Sequence, residues 1–211
     1  YQIMSDGTPL SALNGREWEV AASPHGGYWA AENRDTSYIC TLFLMTDTSD
    51  VPVWTYPLGT YPGSGGVAGT DGLQFSHEGS TLVLFMNRQP GETPRLLAWD
   101  VSFPDTVPLL NYEIPAGMGV SARALGISSY GSIIACTADN FCHVIEIDGF
   151  VRSVINFQAS TDGLALSADG NFLMGAFQAA KLWRWDGSTY AMQWQAGIGG
   201  RYCSQLLISP D

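Results

Sequence analysis

Only one lysine, Lys181, occurs in this 211-residue chain, and charged residues of every kind make up just 14% of it, against about 25% in a typical soluble domain. The nine basic residues face 20 acidic ones, for a formal net charge of −11. A surface of that sign repels phosphate backbones, which excludes nucleic acid as an expected partner. No run of 18 apolar residues is present, so membrane insertion by a helix is not expected. No basic segment followed by an apolar core opens the chain at Tyr1. Asn-x-Ser/Thr is missing, so N-glycosylation at the usual signal is not expected.

The chemistry-bearing motifs are equally sparse. There is no Gly-x-Ser-x-Gly, and no Ser-x-x-Lys surrounds Lys181. Of the three histidines, His25 and His77 fall in expected turns and His143 stands alone on an expected strand. His143 does neighbour Cys142, but adjacent strand residues point to opposite faces, so no metal site is expected. Asp47-Thr48-Ser49-Asp50 lacks the alternating oxygen ligands of a calcium loop and reads as a solvated turn. Glu32, Glu113 and Glu146 are the glutamates in or near expected strands, and nothing pairs them for acid–base work. No catalytic residue and no cofactor is assigned.

What the chain has in quantity is glycine (24), proline (11) and apolar residues (45%), the composition of a turn-rich β protein. The stretch Leu164–Trp194 shows the pattern most clearly. Gly163 to Ser167, Phe172 to Ala176, Lys181 to Trp185 and Tyr190 to Trp194 are apolar, aromatic or alternating runs, and each gap carries Gly, Asp or Ser. Four antiparallel strands joined by tight turns are expected.

Two landmarks repeat this unit along the chain. Ser-x-x-Gly stands between two apolar runs at Ser23–Gly26, Ser76–Gly79, Ser128–Gly131 and Ser167–Gly170, and Ser209-Pro210-Asp211 begins another copy. An aspartate closes an apolar run at Asp6, Asp47, Asp100, Asp148 and Asp186. Serine landmarks are 53, 52, 39 and 42 residues apart, and aspartate landmarks 41, 53, 48 and 38. A period of about 40–50 residues with four strands per unit is the signature of propeller blades.

The endings Ala98-Trp99-Asp100, Arg184-Trp185-Asp186 and Glu146-Ile147-Asp148 make the units resemble the blades of WD-repeat or quinoprotein-type β-propellers. No Gly-His dipeptide opens the units, so the resemblance implies an architecture and leaves the subfamily unassigned. The expected fold is all-β, a single propeller domain or segment over 1–211. Complete four-stranded antiparallel blades are expected at roughly 17–59, 72–115, 124–157 and 163–195, with 1–16 and 202–211 as parts of incomplete blades. That phase suggests a segment of a larger ring. A five-bladed ring, or completion of the partial blade by another molecule, are the alternatives.

Several residues stand out as candidates for binding or bonding. The loop Gly59–Gly72 is glycine-rich, but without a P-loop lysine or a following helix it reads as a connector. Trp54, Tyr56 and Tyr61 lie on or beside it and form a possible binding face for protein or carbohydrate. For Trp183, Trp185 and Trp194, packing between blades is the expected role. Cys136 and Cys142 flank a hairpin turn. A three-residue turn centred on Asp139 would set them directly opposite, within reach of a disulfide; the other reading is two buried thiols on strand faces. A bridge, with the scarcity of lysine, would suit a secreted or cell-surface protein, with a cytoplasmic one as the alternative. By analogy of fold, the function expected is a non-enzymatic scaffold that presents loops and faces to a protein partner or to another copy. The rival readings are a structural subunit of an extracellular or surface assembly and a propeller enzyme acting on carbohydrate or small molecules.

Overall fold

The computed structural model describes residues 16–34, 39–49, 51–60, 70–86, 93–103, 105–115, 117–118, 122–158, 161, 163–176, 179–197, 206 and 208. Among them every regular element is a strand, and sixteen strands make four sheets. The first holds β1 (Arg16–Ala22), β2 (Tyr28–Arg34), β3 (Ile39–Thr46) and β4 (Trp54–Thr60). The second holds β5 (Thr70–Phe75), β6 (Thr81–Met86), β7 (Arg95–Asp100) and β8 (Leu110–Glu113). The third is β9 (Ala122–Ile127), β10 (Ile133–Ala138), β11 (Phe141–Glu146) and β12 (Val151–Asn156). The fourth is β13 (Gly163–Leu166), β14 (Phe172–Ala176), β15 (Ala179–Trp185) and β16 (Tyr190–Gly197). Each is an antiparallel meander in chain order.

The sheets follow one another as blades do. First strands lie side by side, β1 by β5, β5 by β9 and β9 by β13, and form the inner wall of an open arc. Between neighbouring sheets lie three apolar layers. Leu42, Leu44 and Trp54 meet Leu82, Leu84 and Trp99 in the first. Val83, Phe85 and Leu96 meet Ile134, Cys136 and Ile145 in the second. Ala135, Cys142 and Val144 meet Leu166, Leu173 and Trp183 in the third. Alternate residues of one strand serve opposite layers, so Leu82 and Leu84 face one neighbour while Val83 and Phe85 face the other. That is why β6 and β10 are buried at every position and read as unbroken apolar runs rather than as alternation.

The Ser-x-x-Gly landmark is the first turn of each sheet, and its residue types have structural causes. The Ser76, Ser128 and Ser167 hydroxyls accept from the amides of Thr81, Ile133 and Phe172 at 3.1, 3.0 and 2.9 Å. The glycine amides of Gly79, Gly131 and Gly170 return to the same serines' carbonyls at 2.9 Å. These glycines have φ of +71°, +72° and +70°, a region costly for other residues. Each also abuts the preceding sheet: a Cβ on Gly79 would overlap Ser23 Oγ, on Gly131 the side chain of Thr81, and on Gly170 that of Ile133. Backbone bonds cross the same boundaries, from Glu78 N to Ser129 O and from Ser129 N to Ala168 O, both 3.0 Å. The repeated motif is thus where one sheet locks to the next.

Of the two readings of Cys136 and Cys142, bridge or buried thiols, the register excludes the bridge. The turn has two residues, Asp139 and Asn140, with Ala138 opposite Phe141; Cys136 then faces His143, and Cys142 faces Thr137. Asp139 takes a φ of 48°, the positive value that a tight hairpin turn demands and aspartate tolerates. One residue less in the turn sends the two sulfurs to opposite sides of the sheet. Cys136 packs toward the second sheet and Cys142 toward the fourth, both as buried free thiols.

Candidate functional site

In a four-stranded meander the first and third turns emerge at the same end of the sheet. Because the first turns bond to one another across sheets, these ends share one face of the arc. The third turns carry the aspartate landmark, and three of the aspartates are tied to their own turns. Asp100, Asp148 and Asp186 accept from the amides of Ser102, Phe150 and Ser188 at 2.8, 2.9 and 2.8 Å. Side-chain oxygens that bond amides two residues on make Asx-turns, which is why aspartate recurs here. Bonds from the amides of Thr189 and Ser188 hold the Asp186 carboxyl below its ordinary pKa, and Ser167 with Asn171 does the same for Asp169.

This turn face is apolar as well as acidic. Val51, Phe103, Val107, Leu109 and Phe150 stand exposed on the third turns, and Tyr130 stands exposed on a first turn. Around them lie Glu78, Asp105, Asp148, Asp169 and Asp186, all exposed. Among the described residues the first and third turns hold no lysine or arginine. The face therefore offers loops on a stiff frame, with apolar side chains set among fixed negative charges.

A cavity of about 590 Å³ opens on the inner side of the arc, within the range of small-ligand pockets. Leu125, Ile127, Leu164 and Leu166 form its apolar wall, while Gln74, His77 and Ser129 supply polar groups. His77 lies edge-on to His25 with ring centroids 5.8 Å apart, and His25 Nε2 is 3.9 Å from Glu78 Oε2. Three inner strands build this cavity together, which no single stretch of sequence could announce. The arrangement suits an apolar ligand hydrogen-bonded at one end.

A second polar group is buried between the second and third sheets. Tyr112 Oη lies 3.2 Å from His143 Nδ1, and His143 faces Cys136 across the β10–β11 ladder. Among the described residues no hydrogen-bond partner is placed on His143 Nε2, and the residue is fully buried. Burial lowers the His143 pKa, with the Met118 backbone acting against it, and raises Tyr112 to about 12; Cys136 is pushed far up by burial. All three are neutral at ordinary pH, as a packed polar cluster should be.

The residues singled out by sequence fall in different places. Trp54 is buried in the layer between the first two sheets, 5.6 Å from Trp99 between ring centroids, and Tyr56 meets the same Trp99 edge-on at 5.1 Å. Their rings pack between sheets instead of forming a free binding face. Tyr61 and most of the glycine-rich loop lie outside the described residues. Trp183 is core, stacked on Phe157 at 4.5 Å. Trp185 packs on Tyr190 and beneath Arg152. Trp194 departs from expectation and is 42% exposed. Glu113 pairs with Arg95, and Glu146 with Arg152 at 2.6 Å, so both glutamates are engaged in ion pairs. With Cys136 and Cys142 free, the bridge no longer supports a secreted location.

No protein-family model matches this sequence, and no curated protein sequence matches it. Its fold does resemble solved structures. A structure of Kuenenia stuttgartiensis hydrazine synthase is similar with a TM-score of 0.65 and 16% identity, over 91% of this chain and 65% of that one. A chain in the crystal structure of a mitotic checkpoint complex is similar with a TM-score of 0.61 and 13% identity, over 91% and 56%. The chain thus spans less than two thirds of the length of either. At such identities the likeness shows a fold alone, and that fold is the β-propeller arrangement expected from the repeats.

Proposed function

We propose that this propeller chain is a protein-interaction scaffold whose turn face receives the partner. The observation that carries the reading is the gathering of exposed Val51, Phe103, Val107, Leu109, Tyr130 and Phe150 on the one face where first and third turns emerge. Exposed apolar groups clustered within a polar rim mark interaction surfaces more often than scattered ones do. Rigid turns bind with little loss of conformational freedom. The acidic rim favours a partner that places apolar side chains within a basic surround. The checkpoint-complex likeness supports the reading insofar as that propeller sits in an assembly.

Affinity capture with cross-linking tests it. A partner held by the native protein should be lost when Phe103, Leu109 and Phe150 are all changed to Asp, and kept when Val154, exposed on β12, is changed instead. An unchanged partner profile in the triple variant would contradict the reading. The central cavity favours a second reading, binding of a small molecule with an apolar body and a polar end. A ligand of that class should raise the melting temperature, and changing Leu164 to Trp, which fills the cavity, should abolish the rise.

A further inference from the structure

Each sheet ends in an outer strand that pairs, among the described residues, on one side only. Such edges invite added strands, and proteins blunt them with proline, charge, shortness or bulges. Three of the four are blunted by proline, by shortness or by charge. β4 has Pro57, which lacks an amide donor, next to an irregularity in its pairing and Gly59 at a φ of +104°. β8 is four residues long and ends in Glu113, paired to Arg95. β12 is interrupted at Arg152, which Glu146 holds.

The fourth is different. β16 runs eight residues, seven of them exposed, with neither charge nor proline; it shares with β4 and β12 an irregularity, here at Gln193, whose side chain donates to the Ala191 carbonyl at 3.0 Å. Met192 and Trp194 present 57% and 42% of their surface to solvent. Two copies of a chain with net charge −11 repel each other at most points of approach, but not along an uncharged strand. The run Ala191-Met192-Gln193-Trp194-Gln195-Ala196-Gly197 is also close to a palindrome. Reversed upon itself about Trp194, it sets Gln193 against Gln195, Met192 against Ala196 and Ala191 against Gly197.

We propose that the β16 edge is a self-association surface, on which a second copy adds its own β16 antiparallel, with Trp194 meeting Trp194 across a two-fold axis. The inference is independent of the turn-face reading. Main-chain bonds between the edges supply the affinity, as in other strand additions. The paired indoles and amides set the register, because directly opposed side chains are the unit of sheet stabilisation. The interface is isologous and closes at two copies, since the described residues of each chain offer one such edge.

Sedimentation of the native protein across a wide range of concentration should show a reversible monomer–dimer equilibrium. Trp194→Lys should weaken it by about tenfold or more, since an edge lysine blocks strand addition. An unchanged melting temperature at low concentration would show that this variant is folded. Trp194→Cys should give a dimer linked by a disulfide on mild oxidation, because opposed Cβ atoms lie about 4.5–5.5 Å apart. The native protein should give none under the same conditions. A native protein that stays monomeric throughout would overturn the proposal, including the case in which only a foreign peptide adds to β16. So would a dimer indifferent to Trp194→Lys, or a Trp194→Cys variant that does not cross-link.

Discussion

The inner turns and the outer strands of the same four sheets are built to opposite rules. At the inner turns, three sheets repeat one solution: a serine hydroxyl bonds the next strand's first amide, and a glycine at positive φ abuts the preceding sheet. At the outer edge every sheet is different, ending in proline, in a short charged strand, in a bulged arginine or in a long uncharged strand. The repeat survives where neighbours must fit. Where nothing packs against a strand, each sheet is free to carry its own surface, and there the molecule has room for partners.

Substitutions that break the inner side should cost most. Trp99→Ala empties a fully buried site that Trp54 and Tyr56 both touch. It should lower stability by about 3–5 kcal/mol in chemical denaturation. Next is Gly131→Ala, which adds a Cβ against Thr81 at a φ of +72°. Backbone strain and overlap together should cost about 2–4 kcal/mol. Ser128→Ala leaves the Ile133 amide without its acceptor and should cost about 1–2 kcal/mol.

A fourth prediction concerns the buried layer between the second and third sheets. His143 is held neutral there, with its pKa below the ordinary value, and the groups facing it, Tyr112 and Cys136, are neutral too. Unfolding frees the imidazole to take up a proton at its usual pKa, about 6.5. The unfolded state therefore binds more protons below that pH, and stability should fall as pH drops through it and level off above. Melting temperatures followed between about pH 7 and 5.5 should show that slope. His143→Gln should flatten it. The smallest effect belongs to the outer edge, where Trp194→Lys should change monomer stability by less than about 0.5 kcal/mol.

The inner rule was the legible one. Ser-x-x-Gly and the closing aspartate set the phase of the sheets, because turn chemistry leaves local signatures. The outer surface was not legible, since its character depends on what lies beside each strand. Trp54 and Trp194 both occupy outer strands, yet one packs against Trp99 and the other faces solvent. Periodicity marks alternate faces without saying which of them a neighbouring sheet covers. The cysteine pair shows how sharply this can fail. Reading the turn at Asp139 as three residues rather than two reverses the face of every residue beyond it. The turn face and the cavity draw on several sheets at once, and only the arc assembles them.

The inner turns join separate sheets into one rigid frame. Native-state hydrogen exchange at the Glu78 and Ser129 amides tests it most directly, because both bonds cross from one sheet to the next. These two amides should exchange only with global unfolding, at the same free energy as the buried strands β6 and β10. Exchange that is fast and independent of those strands would contradict it.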